Sequence, residues 1–241
     1  MFTHSTDQLH ALLSELHEQS ETQLLARARK QFPGSDAEFL SLARRYNDLA
    51  PRLRGKFLRE HGLSSEDSDA SQGTELSLSV SAQMGNFLRN MVLTHRPQRI
   101  LELGSSYGVS TLYFADALNR LGNGTVVATE LDPVKCTRIN EHVSAMGLAN
   151  QVELKAGDVF KTIAALDGVF DFVFIDIWAS GYLDAFKNIE RLLRPGSIVL
   201  ADNMFTAEDA VKPFKHYVDN NPAFSSTTLD FESGVEFTVV L

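Results

Sequence analysis

The sequence predicts an α/β fold: a doubly wound sheet of seven strands that ends in an antiparallel β-hairpin and follows an N-terminal helical extension. Strand-like apolar runs alternate with helix-like periodicity from residue 99 onward, which is typical of repeated βα units. The first of these units joins its strand to its helix through a glycine turn at Gly104 and Gly108. The last two strand-like runs, residues 224–231 and 235–240, have no helical stretch between them, which indicates a hairpin.

The first 61 residues have helical patterns. Leucines at helical spacing predict a helix over residues 7–31. A second helix is expected to begin near Asp36, to be interrupted at Pro51 and to continue to about His61. His17 is predicted to be an exposed helix residue, not a ligand, because no third ligand accompanies the histidines of this helix.

Residues 64–73 are polar and acidic without periodicity, which predicts a mobile linker or lid. The chain therefore divides into a helical extension with its linker, residues 1–75, and an α/β domain, residues 76–241. The elements of this domain are predicted in the following order: helix 82–93, strand 100–103, a helix from 110, strand 125–130, helix 133–146, strand 152–156, helix 159–166, strand 170–176, helix 182–193, strand 197–201, helix 207–220 and the hairpin. Five βα units closed by a hairpin differ from the six-strand dinucleotide fold.

Composition excludes several classes of protein. No apolar run reaches membrane-spanning length and the N-terminus does not have the pattern of a signal peptide, so a cytoplasmic protein without membrane contact is expected. Cys136 is the single cysteine, which excludes an intrachain disulfide and a thiolate zinc site.

Charge is unevenly distributed along the chain. The net charge of −9 disfavours a nucleic-acid surface overall. Residues 27–60 nevertheless hold nine Lys/Arg against four acidic residues, an excess of +5. This excess predicts a solvated helix face or a contact with an acidic surface of a partner subunit. A dock for an anionic substrate tail is the functional alternative.

The glycine turn has the pattern Glu102-x-Gly104-x-x-x-Gly108. A dinucleotide pyrophosphate requires G-x-G-x-x-G, so that the backbone can approach two phosphates. An acidic group beside the turn repels phosphate and suits a ligand with a cationic head. The turn therefore favours S-adenosylmethionine (SAM) over NAD, with a generic glycine turn as the alternative.

Carboxylates follow four successive strands of the predicted sheet: Glu130, Asp158, Asp176 and Asp202. Because parallel strands end at one edge, these side chains are expected to line a single rim. Glu130 comes 26 residues after Gly104, where a carboxylate can accept both hydroxyls of a ribose. Asp158 could accept from an adenine amino group. The alternative is that they cap the following helices.

A second constellation combines Asp176 with Asp202 and Asn203. Two carboxylates and an amide oxygen form a hard, all-oxygen site of the kind that Mg²⁺ favours. Capping of the following loops is again the alternative. Trp178, two residues after Asp176, could stack on an adenine, with core packing as the structural explanation.

Four motifs together resemble the class I SAM-dependent methyltransferases, which have a Rossmann-like fold. They are Leu-Glu-Leu-Gly-Ser-Ser-Tyr-Gly-Val-Ser at 101–110, Ala-Thr-Glu-Leu-Asp at 128–132, Val-Phe-Ile-Asp-Ile-Trp at 173–178 and Leu-Ala-Asp-Asn at 200–203. More narrowly, they resemble the cation-dependent O-methyltransferases that include the catechol and caffeoyl-CoA enzymes. The resemblance covers about residues 76–241.

This resemblance implies a small-molecule acceptor, probable family traits such as a homodimer, and no nucleic-acid partner; the N-terminal helices would cover the substrate pocket or build the dimer. It implies SAM contacts at Val80, Glu102, Gly104, Ser105, Gly108, Ser110, Glu130, Leu131, Asp158, Val159, Asp176 and Trp178. It also implies a divalent cation, Mg²⁺ or similar, on Asp176, Asp202 and Asn203. Asp176 would then be the catalytic residue, acting through the metal.

One position departs from the family pattern. The catechol-type enzymes have Asp-x-Trp-Lys after the fourth strand, with the lysine as general base, whereas this chain has Ala179. Lys187 follows later and is expected to point elsewhere. The sequence predicts an O-methyltransferase for a vicinal-diol aromatic acceptor. The alternatives are an RNA-modifying methyltransferase of the same fold and a catalytically weak SAM-binding protein.

Overall fold

The computed structural model describes residues 6–63 and 78–241, so the expected linker at 64–73 lies outside the described residues. The N-terminal extension forms α1 (Thr6–Gln31), α2 (Asp36–Asp48) and α3 (Pro51–Glu60). A capping box begins α2: the Ser35 hydroxyl accepts from the Glu38 N–H, and the Glu38 carboxylate accepts from the Ser35 N–H at 2.8 Å. Pro51 occupies the first turn of α3, where its missing N–H costs no hydrogen bond.

The described part of the α/β domain contains one seven-stranded sheet. Its strands are β1 (Arg99–Leu103), β2 (Thr125–Glu130), β3 (Val152–Ala156), β4 (Phe172–Ile175), β5 (Ile198–Ala201), β6 (Phe224–Leu229) and β7 (Val235–Val240). Their order is β3-β2-β1-β4-β5-β7-β6. The first five strands are parallel, and β7 runs antiparallel to both β5 and β6. The predicted doubly wound sheet with a terminal hairpin is confirmed.

Helices cover both faces of this sheet. They are α4 (Ala82–His95), α5 (Val109–Leu121), α6 (Pro133–Ala145), α7 (Val159–Ala164), α8 (Tyr182–Ile189) and α9 (Glu208–Asn220). Phe172 and Phe174 of β4 pack into the core beneath α4 and α5, whereas Val173 and Ile175 pack into the core beneath α8 and α9. Burial on both faces explains why this strand has a continuous apolar sequence. No helix in the described ranges combines the length and apolarity needed to cross a membrane.

Some predicted boundaries and one exposure differ from the structure. The fourth strand begins at Phe172, because the Asp171 side chain accepts hydrogen bonds from the main chain at Gln98 (2.8 Å) instead of facing a core. The sixth strand ends at Leu229. The predicted exposure of His17 is wrong: its Nε2 lies 3.1 Å from the Tyr113 hydroxyl, because α1 packs against the domain.

Two arginines of α3 pair with acidic residues of the same chain. Arg52 lies 3.6 Å from Asp230, in the turn between β6 and β7, and Arg59 lies 3.0 Å from Glu208, at the start of α9. Part of the local basic excess therefore faces an acidic surface of this domain. No partner subunit is needed to explain these two cations.

Asp171 is a buried carboxylate that ties the start of β1 to Arg194. Burial opposes ionisation of Asp171, but the Gln98 N–H, the Arg194 guanidinium and the Arg99 N–H together hold its pKa below the usual range. Arg194 donates to Oδ1 through Nε at 3.0 Å. A depressed pKa contributes stability above the unfolded-state pKa of about 4, and this contribution is lost as pH falls through the folded-state pKa.

Asp171→Asn is therefore expected to lower the free energy of unfolding at pH 7 by about 1–3 kcal/mol, because buried donors lose an ionised acceptor. Urea melts at pH 7 and at about pH 3.5 would measure this loss, which should shrink at the lower pH. Asp167→Asn, at an exposed position, is the matched control. The same loss at both pH values would contradict the assignment.

Candidate active site at the carboxyl edge of the sheet

The turn between β1 and α5 is held tightly against the neighbouring strand ends. Gly104 has φ +87°, and a Cβ at this position would overlap the carbonyl oxygen of Asp176. Ser106 and Gly108 also have positive φ, +48° and +83°. The Gly104 N–H donates to the Thr129 hydroxyl at 3.2 Å. Only glycine at 104 permits this close approach of the turn to the loop after β4.

Glu102 lies fully buried beneath this turn. Its Oε2 accepts from the hydroxyls of Ser105 at 2.8 Å and Thr111 at 2.5 Å. Its Oε1 is buried and has no hydrogen-bond partner among the described residues. Burial raises the pKa of Glu102, the hydroxyls of Ser110, Thr111 and Ser105 oppose the rise, and the charge of Glu130 adds to it. A buried carboxylate oxygen without a donor suits a cationic or N–H donor from a ligand.

Glu130 lies beside the turn, as the sequence predicts. Its Oε2 accepts from the Ser106 N–H at 2.8 Å, and its Oε1 accepts from the Asp132 N–H at 2.9 Å. Each carboxylate oxygen can accept a second hydrogen bond. The side chain is thus fixed by two main-chain donors and can still accept from a ligand.

Asp158 caps α7: its Oδ1 accepts from the N–H groups of Phe160 (2.8 Å) and Lys161 (3.2 Å). The capping alternative therefore describes its contacts. Trp178 is 40% exposed, so core packing does not explain it. Leu131 is also exposed, whereas Val80 is buried just before the Ser81 cap of α4.

The structure brings the three expected metal ligands together. The Asn203 Nδ2 donates to Asp176 Oδ1 at 3.1 Å, and Asn203 has φ +62°. Asp202 is buried, and its Oδ1 accepts from the Asn203 N–H at 2.6 Å and from the Ser233 hydroxyl. The Thr206 hydroxyl contacts Asn203 Oδ1 at 3.1 Å. The ends of β4 and β5 thus form one acidic cluster.

Electrostatics disfavours two negative charges in this cluster. Desolvation raises the pKa of Asp176 well above its usual range, Asp202 and Glu102 add to the rise, and the Asn203 amide opposes it. Burial raises the pKa of Asp202 to about 6, against the hydrogen bonds from Ser233 and the Asn203 N–H, with Glu232 adding to the rise. A bound cation would relieve this repulsion.

The donor chemistry of the cluster fits a hard dication. Among the described residues, no three His, Cys, Asp or Glu side chains form a metal-binding group, so a cation here needs the Asn203 amide as its third protein ligand. The amide now turns Nδ2 toward Asp176 and Oδ1 toward Thr206. A half-turn would exchange these atoms, and the Thr206 hydroxyl could then accept from Nδ2. Two carboxylates and one amide oxygen suit Mg²⁺.

Sequence reasoning missed the residues that support this cluster. Tyr182 is fully buried, and its hydroxyl donates to the Asp202 carbonyl at 3.1 Å. Burial raises the pKa of Tyr182 well above its usual range, with Asp176 and Asp202 adding to the rise, so this phenol is a donor and not a base. An apolar helix pattern predicts only a core tyrosine at 182, and nothing local in sequence links Ser233 to Asp202.

The position of the family lysine is occupied by Ala179, at the start of a short 3₁₀ turn (Ala179–Gly181). Lys187 lies over the ring of Tyr217, with its Nζ 5.0 Å from the ring centroid. Lys187 therefore packs against α9, as predicted, and does not substitute for the missing lysine.

Comparison with known proteins agrees with this architecture. A family described as a methyltransferase domain matches residues 101–204. The catechol O-methyltransferase of Niastella koreensis is 33% identical over 132 residues, covering 53% of this chain and 59% of that protein. The catechol O-methyltransferase of Sus scrofa is 30% identical over 137 residues, covering 54% of this chain and 73% of that protein.

Among solved structures, cofactor-bound Rv0187 from MTB superposes with a TM-score of 0.65 at 26% identity, covering 71% of this chain and 86% of that one. The match spans about three fifths of the length of the Niastella koreensis relative. The matched domain contains both the glycine turn and the acidic cluster. The chain belongs to the class I methyltransferases, in the cation-dependent O-methyltransferase family of the catechol enzymes.

Proposed function

We propose that this protein transfers a methyl group from SAM to a hydroxyl of a small acceptor, with vicinal-diol aromatics as the acceptor class and Mg²⁺ or a similar cation. The observation that carries the proposal is the junction of two half-sites. Gly104 of the glycine turn lies directly against the carbonyl of Asp176, whose carboxylate contacts Asn203. A donor at the turn and an acceptor at the acidic cluster would therefore be neighbours, as direct transfer requires.

The cofactor half would bind SAM through acceptors already in place. SAM supplies an electrophilic methyl group when it is bound. The open Oε1 of Glu102 would accept from the ligand's ammonium group, and Glu130 would accept from the ribose hydroxyls. Asp158 has used Oδ1 for capping, which leaves Oδ2 for the adenine amino group beside the exposed Trp178. The buried position of Glu102 makes its contact the most sensitive to charge.

The acceptor half would hold a cation on Asp176, Asp202 and Asn203. The cation supplies stabilisation for negative charge that develops on an acceptor oxygen. Ser233 and Tyr182 hold the side chain and the carbonyl of Asp202, so the ligand set needs little rearrangement beyond the Asn203 amide. Because Ala179 provides no amine, we propose that loss of the acceptor's proton depends on Asp176 and its cation.

Calorimetry with SAM, followed by turnover of a catechol and caffeate panel with Mg²⁺ or with EDTA, tests the function. A product heavier by 14 Da, formed only with the divalent cation, is expected; 14 Da is about the mass of one added CH₂. Failure to bind SAM would overturn the proposal. SAM binding without product from any acceptor would favour the weak SAM-binding protein. Salt-sensitive tRNA binding would favour the RNA-modifying enzyme.

Restoring the family lysine should accelerate the reaction. Ala179→Lys is expected to raise kcat at pH 7 by about tenfold or more, since a positioned general base contributes roughly 10²–10⁴-fold in other enzymes. Ala179→Met is the matched control, because it adds a long side chain without an amine. Equal kcat values for the two variants would show that proton removal does not limit this enzyme.

A further inference from the structure

Helix α3 lies across three segments that surround the acidic cluster. Arg52, Gly55 and Arg59 recur at helical spacing and share one face of the helix. The Arg52 N–H donates to Asp230 at 3.3 Å, in the turn between β6 and β7. Arg59 donates to Glu208 at 3.0 Å, at the start of α9. The face between these two contacts is centred on Gly55.

Gly55 makes the closest of these contacts. A Cβ on Gly55 would overlap the carbonyl oxygen of Phe205 and would lie 3.1 Å from the Cα of Thr206. A glycine inside a helix costs about 1 kcal/mol relative to alanine. The absence of a side chain here lets the backbone of α3 rest directly on the segment that follows Asp202 and Asn203.

Phe205 connects this contact to the ligands. Its N–H donates to the Ser233 carbonyl at 2.8 Å, and the Ser233 hydroxyl donates to the Asp202 carboxylate. A Cβ on Gly234 would lie 2.7 Å from the Phe205 ring, so this ring is confined as well. The next residue, Thr206, contacts the Asn203 amide oxygen at 3.1 Å. Displacing Phe205 would therefore disturb the supports of both Asp202 and Asn203.

The geometry points to α3 as a positioning element of the acceptor half. We propose that the contact of Gly55 with Phe205 fixes the segment 202–206 in the arrangement that binds a divalent cation. This inference rests on the proposed function. It assigns the N-terminal extension a role inside the catalytic unit, in addition to any covering or dimerising role.

The cofactor half should be insensitive to this contact. Glu102 and Glu130 are held by residues of the glycine turn, by Thr111 and by Asp132. None of these supports belongs to α3 or to the segment 202–206. Undocking α3 should therefore separate cation binding from SAM binding, whereas general destabilisation would weaken both.

Gly55→Ala and Gly55→Val test the inference in the full-length chain. On helix propensity alone, alanine should stabilise α3, yet its Cβ meets the Phe205 carbonyl. Titration with Mn²⁺, followed by electron paramagnetic resonance, and calorimetry with SAM would be run on each variant. We expect the Kd for Mn²⁺ to rise by about 10–100-fold, as for other residues that support metal ligands. The Kd for SAM should change less than about twofold.

Leu53→Ala is the matched control in the same helix, since Leu53 is 46% exposed, and it should leave both Kd values unchanged. Unchanged Mn²⁺ affinity in both Gly55 variants would overturn the inference alone. Parallel loss of SAM and Mn²⁺ binding in both variants would overturn it in favour of a global stabilising role. A wild-type protein that binds SAM but not Mn²⁺ would instead refute the proposed cation, and the inference with it.

Discussion

Asp202→Asn is expected to reduce turnover by roughly 10²–10³-fold at saturating SAM, comparable to the loss of a group that stabilises charge in a transition state. The variant removes one of two carboxylate ligands while keeping an oxygen that accepts from the Asn203 N–H and the Ser233 hydroxyl. The fold should tolerate it, because it also removes the repulsion that raises the pKa of Asp176. Its melting temperature in EDTA should therefore equal or exceed that of the wild type.

Steady-state kinetics with Mg²⁺, calorimetry with SAM and thermal melts would measure these three properties together. Asp184→Ala, which removes an exposed carboxylate on α8, is the control and should retain wild-type turnover. Full activity of Asp202→Asn, or wild-type activity in EDTA, would refute a catalytic role for the acidic cluster.

Glu102→Gln is expected to weaken SAM binding by about 10–100-fold, or roughly 1.5–3 kcal/mol, the range for a hydrogen bond to a charged group. The substitution keeps the length of the side chain but removes its negative charge at a fully buried position. Since the hydroxyls of Ser105 and Thr111 can still donate to an amide oxygen, the glycine turn should keep its structure. The Kd from calorimetry measures the effect.

The control for this variant is Glu236→Gln, at a second fully buried glutamate, whose carboxylate accepts from Ser226 (2.6 Å) and Thr228 (2.5 Å) in the hairpin. It should leave the Kd for SAM unchanged even where it lowers stability. Equal SAM affinity in Glu102→Gln and wild type would show that Glu102 only supports the turn.

The fold was largely predictable because each element has a strong local signal. The buried β4 reads as a continuous apolar run, the Gly104 turn follows β1, and the hairpin lacks an intervening helix. Boundaries were less predictable where tertiary contacts decide them. Asp171 leaves the strand pattern because Gln98 and Arg194 are its partners, and both lie more than 20 residues away.

The candidate site was predictable at the strand ends and not beyond them. Carboxylates after parallel strands must meet at one edge, so Asp176 and Asp202 could be placed together from the sequence. The groups that hold them come from distant segments: Ser233 from the hairpin turn and Gly55 from the N-terminal extension. Such partners have no periodicity or spacing that reveals them, since they depend on how separate segments pack.

The order of the strands separates the two halves of the site. The residues assigned to the cofactor lie mainly on β1, β2 and β3, whereas Asp176, Asp202 and their supports lie on β4, β5 and the hairpin. Mutational drift on the second group can therefore alter acceptor choice without disturbing the methyl donor. A chimera that grafts the hairpin and the first three helices from a relative should change selectivity while leaving donor affinity intact.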